Sequence, residues 1–305
     1  MTAFPAPIVP KVNFPFHLIP FSGKIKSFLW EKVSLIMDVE FRYREFLPES
    51  RRVVVKVGTR VIEQKSGCPD LKSIRSLVKQ VAALHRAGYE ILMVSSGAIG
   101  AGIDALGLKK RPTLVPDLQM CAAVGQAKLM AQYEQLFQAE GLIIGQVLLT
   151  HTDFQHRIRF ANAKRTMEHM LRQGIVPIIN ENDVVADEEV KASLSLGDND
   201  YLAALVVKLV RADLMVILST VNGVLDGDGK RVSCIENLTS AFKLVDPSLQ
   251  AGGLSKGGMD SKLRAAQIAV KSGCATVIAD GRERNILANI LAGKDVGTLL
   301  ITSAL

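Results

Sequence analysis

Two lysines and a small set of acidic and amide residues carry the chemistry this sequence can do. The first lysine lies inside the run Arg52-Val53-Val54-Val55-Lys56-Val57-Gly58-Thr59-Arg60. Three consecutive valines read as a strand buried on both faces, the kind found in the middle of a parallel sheet. An ammonium buried there costs on the order of several kcal/mol unless an anion meets it. Gly58 follows at once and permits a tight turn with close backbone approach. A cation at the carboxyl end of a central strand, ahead of a glycine turn, is where open α/β sheets bind ligands. On this stretch alone the competing reading, a lysine that snorkels from a strand end to solvent, weighs about equally.

The second lysine follows a glycine loop, Leu254-Ser255-Lys256-Gly257-Gly258-Met259-Asp260-Ser261-Lys262. The loop opens a helix and puts Lys262 in the first turn, where a cation opposes the helix dipole. That placement makes sense if an anion lies between the two. Lys56 and Lys262 together would then clamp the oxygens of a transferring phosphoryl group, and such catalysis is mainly positioning and charge neutralisation. Neither GxxxxGK[ST] nor a strand-borne GxGxxG occurs, so phosphates must be held some other way. The candidates are the loops beginning at Gly58, at Gly97 within Ser95-Ser96-Gly97-Ala98-Ile99-Gly100-Ala101-Gly102, and at Lys256. Backbone N–H groups at a helix start bind phosphate or carboxylate. For Gly100 and Gly102, close helix packing explains the residue type equally well.

Acidic groups complete the set. Asp183 follows a buried strand within Asn180-Glu181-Asn182-Asp183, and Asp198 and Asp200 open a helix within Gly197-Asp198-Asn199-Asp200. N-capping is the plain role for such residues, at Asp198 or Asn199 above all. The amides of Asn180, Asn182 and Asn199 nevertheless suit a grip on the ammonium and carboxylate of an amino acid. Asp200 could equally hold the two lysines in place. Mg²⁺ would ride mainly on ATP oxygens, since it rarely needs an all-protein cage.

The elements that must position these groups alternate in type. Asp70 caps a helix with apolar residues at Leu71, Ile74, Leu77, Val78, Val81 and Leu84 that ends at Gly88. Then come a strand at Glu90–Ser95, a helix from about Pro116 to Glu140, and a strand at Ile143–Leu149. A helix at His156–Gln173 leads to a strand at Ile175–Ile179. After the helix opened by Gly197 come a strand at Leu214–Leu218, a helix at Gly258–Ser272, a strand at Thr276–Ala279, a helix through Leu291 and a strand at Thr298–Ile301. Such alternation implies an α/β chain with parallel pairing and right-handed crossovers. Asp226-Gly227-Asp228-Gly229 reads as a hairpin tip, without the ligand spacing of an EF-hand calcium loop.

Composition narrows the partners. The chain has 305 residues, 48% hydrophobic and 22% charged, with no apolar run near the length of a membrane span. The surplus of 37 basic over 30 acidic residues is dispersed, which suits a phosphate-bearing small molecule better than a nucleic-acid backbone. Cys68, Cys121, Cys234 and Cys274 lack CxxC spacing and read as reduced thiols, consistent with a cytoplasmic protein; no histidine pair has zinc-ligand spacing. Residues 1–36 hold five of the 11 prolines and five of the 11 phenylalanines and read as a loose extension, with Met37 a possible start. It has neither the arginines of a mitochondrial leader nor a secretory apolar core, and no function is assigned to it.

Taken together, the motifs resemble the amino acid kinase family. They are VVVKVGT at Val53–Thr59, SSGAIGAG at Ser95–Gly102, AAVGQ at Ala122–Gln126, RFANA at Arg159–Ala163, NENDVV at Asn180–Val185, GDND at Gly197–Asp200 and GGMDSK at Gly257–Lys262. They stand in family order over Arg52–Ile301. The resemblance is closest to the branch that transfers the γ-phosphoryl of ATP to the side-chain carboxylate of L-glutamate, the first step towards proline. It implies a three-layer αβα sandwich with a mainly parallel sheet, spanning residues 37–305. Residues of about 50–195 would bind glutamate and those of about 196–305 ATP. Carried over by position, Lys56 and Lys262 would stabilise the phosphoryl group and Asp200 would orient them. Ser96, Asp183 and Asn199 would contact glutamate, with Gly97 and Asn180 close by. Gly58, Ser219, Thr220 and Lys256 through Lys262 (Gly257, Gly258, Met259, Asp260 and Ser261 between them) would line the ATP site. The resemblance further implies feedback by proline, a homo-oligomer, and a separate reductase to receive the acyl phosphate.

Four departures accompany it. Ser219-Thr220 stands where Thr-Asp is usual, and Lys256 where a Thr is common. The segment Asp187–Leu196 is longer than usual, and the chain ends at Leu305 without the RNA-modification-like domain many bacterial members carry. Two rivals remain: a kinase of the same fold acting on another carboxylate, carbamate or nucleoside monophosphate, and a nucleotide-binding regulatory protein that has lost catalysis.

Overall fold

In the computed structural model, residues 43–64, 68–186, 198–244 and 258–301 are described, all within the unit Glu40–Leu305. The candidate residues Lys256 and Gly257, the segment Asp187–Leu196 and the extension 1–36 lie outside them.

The elements in chain order are β1 (Arg52–Val57), α1 (Thr59–Ile62), α2 (Leu71–Arg86), β2 (Glu90–Val94), α3 (Ala98–Ala105), α4 (Val115–Ala139), β3 (Ile144–Leu149), α5 (His151–Gln155), α6 (Arg157–Arg172) and β4 (Val176–Glu181). There follow α7 (Asp198–Val210), β5 (Leu214–Ser219), β6 (Cys234–Ile235), α8 (Leu238–Leu244), α9 (Gly258–Lys271), β7 (Ala275–Asp280), α10 (Ile286–Leu291) and β8 (Thr298–Leu300). Local signals set many of the ends. Asp70 accepts from the Lys72 N–H and caps α2, and His156 accepts from the Arg159 N–H at the start of α6.

Eight strands form one sheet in the order β3-β4-β2-β1-β5-β7-β8-β6. β1 therefore lies in the interior, parallel to β2 on one side and β5 on the other. Val53, Val55 and Val57 face a core with Ile74, Leu77, Val78 and Val81 of α2, Leu129, Tyr133 and Phe137 of α4, and the apolar residues of α10. Val54 faces the other core, with Met167 of α6, Leu202, Ala203, Val206 and Val207 of α7, and Leu263, Ala266 and Val270 of α9. Helices on both faces of the sheet make the three-layer α/β sandwich that the family resemblance implies, built from the α/β alternation of elements.

One edge departs from uniform parallel pairing. β8 runs antiparallel to β7, and the two-residue β6, unsignalled in the sequence, pairs with β8 in parallel. The chain enters β8 from the end at which β7 finishes. The expected hairpin tip at Asp226–Gly229 is present: Leu225 and Arg231 bridge in antiparallel fashion, and the Asp226 carboxylate accepts from the N–H groups of Asp228 and Lys230.

Candidate active site

Strand alternation places Lys56 on the same face as Val54, beneath the N-termini of α7 and α9. Its Nζ lies 2.7 Å from Asp200 Oδ1, while Lys262 Nζ lies 3.2 Å from Asp200 Oδ2. One carboxylate thus holds both ammonium groups. Asp200 also accepts from Ser261 Oγ at 3.0 Å, and Lys262 donates to the Gly258 carbonyl at 2.8 Å. The three charged side chains are 7%, 4% and 12% exposed for Lys56, Asp200 and Lys262. Burial alone would raise the Asp200 carboxyl, but the two ammonium groups, Lys56 first, outweigh it and hold it below the usual carboxylate range. Burial draws Lys262 down from its ordinary value, and Asp200 opposes that pull. Asp200 is therefore not a helix cap. It is the counter-ion of a cluster whose net charge is one positive.

The strand ends beside this cluster hold the other candidates. Gly58 donates to the Leu218 carbonyl at 2.9 Å, and a Cβ at position 58 would stand 3.0 Å from that oxygen and 3.9 Å from Lys56 Nζ. Gly97 takes φ +97° and caps α3, a conformation that favours glycine. Asn199 donates to Ser96 Oγ at 2.9 Å, joining the first turn of α7 to the end of β2. Asn180 donates to Gln126 Oε1 at 2.8 Å. A cavity of about 320 Å³ is lined by Ala98, Gln126, Gln146, Glu181, Asn182 and Asp183, among others. Asp183 lines that cavity.

The residues expected at a nucleotide site divide. Ser219 ends β5 and accepts from the Gly281 N–H, and the Thr220 carbonyl accepts from Arg282 at 2.8 Å. Gly258, Met259, Asp260 and Ser261 form the first turn of α9, where Asp260 pairs with Arg264 at 2.7 Å. Asp280 and Arg282, which no motif singles out, form an ion pair beside Thr220, where the expected acidic residue is missing. Sequence reading also gave no role to Gln126, although it stands in AAVGQ, nor to Tyr133, whose hydroxyl lies 3.0 Å from Ser95 Oγ. Glu63 was missed as well. Its carboxylate would lie 3.6 Å from a Cβ on Gly97, and burial pushes it up to about 7, with Arg111 opposing.

Metal donors are scarce here. Both oxygens of Asp200 are engaged by ammonium groups, and among the described residues no three His, Cys, Asp or Glu side chains gather as a metal site. This donor set does not fit a resident cation. Nor is any described helix long and apolar enough to cross a membrane.

Comparison with known proteins agrees with this architecture. A family model described as "Amino acid kinase family" matches residues 51–280. The glutamate 5-kinase of Clostridium acetobutylicum is 41% identical over 262 residues, covering 84% of this chain and 97% of that one. The glutamate 5-kinase of Nitrosococcus oceani is 43% identical over 263 residues, covering 85% of this chain and 69% of that one. Among solved structures, the Giardia carbamate kinase superposes with a TM-score of 0.59 at 18% identity, over 83% of this chain and 99% of that one, a likeness of fold alone. The chain belongs to the amino acid kinase family, in the branch of its glutamate 5-kinase relatives.

Proposed function

We propose that this chain transfers the γ-phosphoryl group of ATP to the γ-carboxylate of L-glutamate, the first step towards proline. The carrying observation is the pair of buried lysines sharing one carboxylate at the carboxyl ends of central strands. A carboxylate oxygen is already nucleophilic. It attacks the γ-phosphorus as the bond to the bridging oxygen of ADP breaks, and no general base is needed. What the protein must supply is alignment and positive charge. Lys56 and Lys262 carry that charge, and Asp200 fixes where they stand. Ser96, Gly97, Asn180, Asp183 and Asn199 form the glutamate subsite. Gly58, Ser219, Thr220 and the residues Lys256 to Lys262 receive the nucleotide; glutamate is held mainly by residues of about 50–195 and ATP mainly by those of about 196–305, with Asn199 and Gly58 each serving the other half's ligand. Mg²⁺ enters as the MgATP complex, as a partner of phosphate oxygens.

The same reading includes proline as feedback inhibitor, a cytoplasmic location and handover of the labile acyl phosphate to a separate reductase. It also includes a homo-oligomer, which the exposed Ile143 and Leu148 at the open β3 edge support.

The test is ATP-dependent γ-glutamyl hydroxamate formation from L-glutamate, L-aspartate and N-acetyl-L-glutamate, with and without proline. Activity confined to glutamate, abolished in a folded Lys262→Ala variant, is expected. ATP binding without turnover of any of the three would replace this reading with that of a regulatory nucleotide-binding protein.

A further inference from the structure

The helix α4 presents two polar side chains from one face, Gln126 and Tyr133, seven residues apart and so two turns along the same stripe. Each meets a strand end. Tyr133 reaches Ser95, which follows β2, and Gln126 reaches Asn180 near the end of β4. α4 also lies unusually close to α3, because a Cβ on Gly125 would fall 1.8 Å from the Ala98 carbonyl oxygen and one on Gly102 1.8 Å from that of Cys121. The stripe is thus held rigidly against the strand ends that carry the amino acid subsite.

Asn180 is only 2% exposed, and its amide is half satisfied. Nδ2 donates to Gln126 Oε1, whereas Oδ1 is buried with no hydrogen-bond partner among the described residues. Leaving a buried carbonyl oxygen without a donor is costly, and a ligand that donates to it is one way the cost is recovered. Side-chain amides present opposite chemistry on their two atoms: one accepts, the other only donates.

We infer that Gln126 is a positioning residue that sets the orientation of the Asn180 amide, reserving Oδ1 as an acceptor for the α-ammonium group of the amino acid substrate. Gln126 does this by accepting an N–H of Nδ2 at its Oε1. The inference rests on the proposed glutamate reading and adds how the site tells an amino acid from a plain dicarboxylate. A rotated amide would aim N–H groups at an ammonium, favouring a substrate that lacks one.

The experiment compares L-glutamate with glutarate, which has the same two carboxylates and no ammonium, by ADP release with hydroxylamine present. The ratio of kcat/KM for the two is the readout, because a loss of packing alone lowers both rates together. In the wild-type enzyme the ratio is expected to exceed 100. Gln126→Met, which accepts no N–H bond of useful strength, is expected to lower it about tenfold, chiefly through KM for glutamate. Gln126→Glu can only accept, so it holds the amide in the same orientation and should keep the ratio at or above the wild-type value. An unchanged ratio in Gln126→Met, or an equal loss in Gln126→Glu, overturns the assignment. Should both variants fail to fold, a wild-type ratio near one overturns it alone. Wild-type protein inactive towards L-glutamate would refute the functional reading itself, and this inference with it.

Discussion

Replacing Asp200 by Asn keeps the shape of the side chain and removes the charge that two buried cations share. At an effective dielectric of about 20, ion pairs at 2.7 and 3.2 Å are each about 5–6 kcal/mol of gross attraction. Much of that offsets desolvation, and removing one partner of a buried pair costs about 3–5 kcal/mol net. For a domain of this size that is on the order of 10 °C in Tm. The pH dependence separates this account from a general loss of packing. Lys262 is already drawn below its ordinary value by burial, with Asp200 opposing, so the substitution lowers it further. A base depressed in the folded state contributes stability that is lost as pH falls through its folded pKa. The variant should therefore lie closer to wild type in Tm at pH 9 than at pH 6.5. Residual turnover should run the other way, since only the charged ammonium neutralises a transferring phosphoryl group. We expect kcat at pH 7.5 to fall by about 10²–10³, the scale of an ångström-sized misplacement of reacting groups. Thermal unfolding and ADP release across that pH range measure both slopes. A Tm within 2 °C of wild type, or a kcat within tenfold of it, would refute the shared-carboxylate reasoning.

Two further outcomes follow from other contacts. Gly125→Ala puts a methyl 1.8 Å from the Ala98 carbonyl oxygen and 2.3 Å from the Gly102 nitrogen, both backbone atoms. The crossing of α3 and α4 must open, so Tm should drop by the equivalent of about 3 kcal/mol or more, with a raised KM for the carboxylate substrate; a calorimetric scan that matches wild type sinks this. Glu63→Gln tests the carboxyl that burial pushes up to about 7. Because its folded pKa is raised, its contribution is complete below the unfolded value near 4.5 and is lost as pH rises through about 7. The variant should match wild type at pH 4.5 and exceed it at pH 8, by about 1 kcal/mol or less because the group is partly open to solvent. Equal Tm shifts at both pH values would count against it.

The sequence revealed a lysine in a valine run and a second lysine in the first turn of a helix because both break local rules of burial and dipole. It also revealed the capping by Asp70, since a cap is settled within three residues. Local signals left Asp183, Asp198 and Asp200 undivided between capping and chemistry, and it was the family resemblance that assigned Asp200 to the two lysines and Asp183 to glutamate. Residue type and spacing could not do so alone, because the contact of Asp200 with Lys56 depends on α7 packing its start over β1, a long-range fact. Gln126 and Asn180 are 54 positions apart, and a neutral amide on a helix leaves no periodic trace. The reversal of β8 was hidden for a different reason: a short apolar strand reads the same whichever way it runs, so its residues carry no record of its direction.

The position of β1 has a consequence for how the molecule is made. One flank, β2, follows within about 40 residues, whereas the other, β5, begins at Leu214. During synthesis the Leu214-facing edge of Val53–Val57 has no native partner until some 160 further residues have left the ribosome. Lys56 likewise waits for Asp200, and both wait for Lys262. The strand that anchors the site is therefore written well before it is enclosed, with an apolar, unpaired edge in the interval that is open to mispairing. Such a long-range closure makes for slow folding.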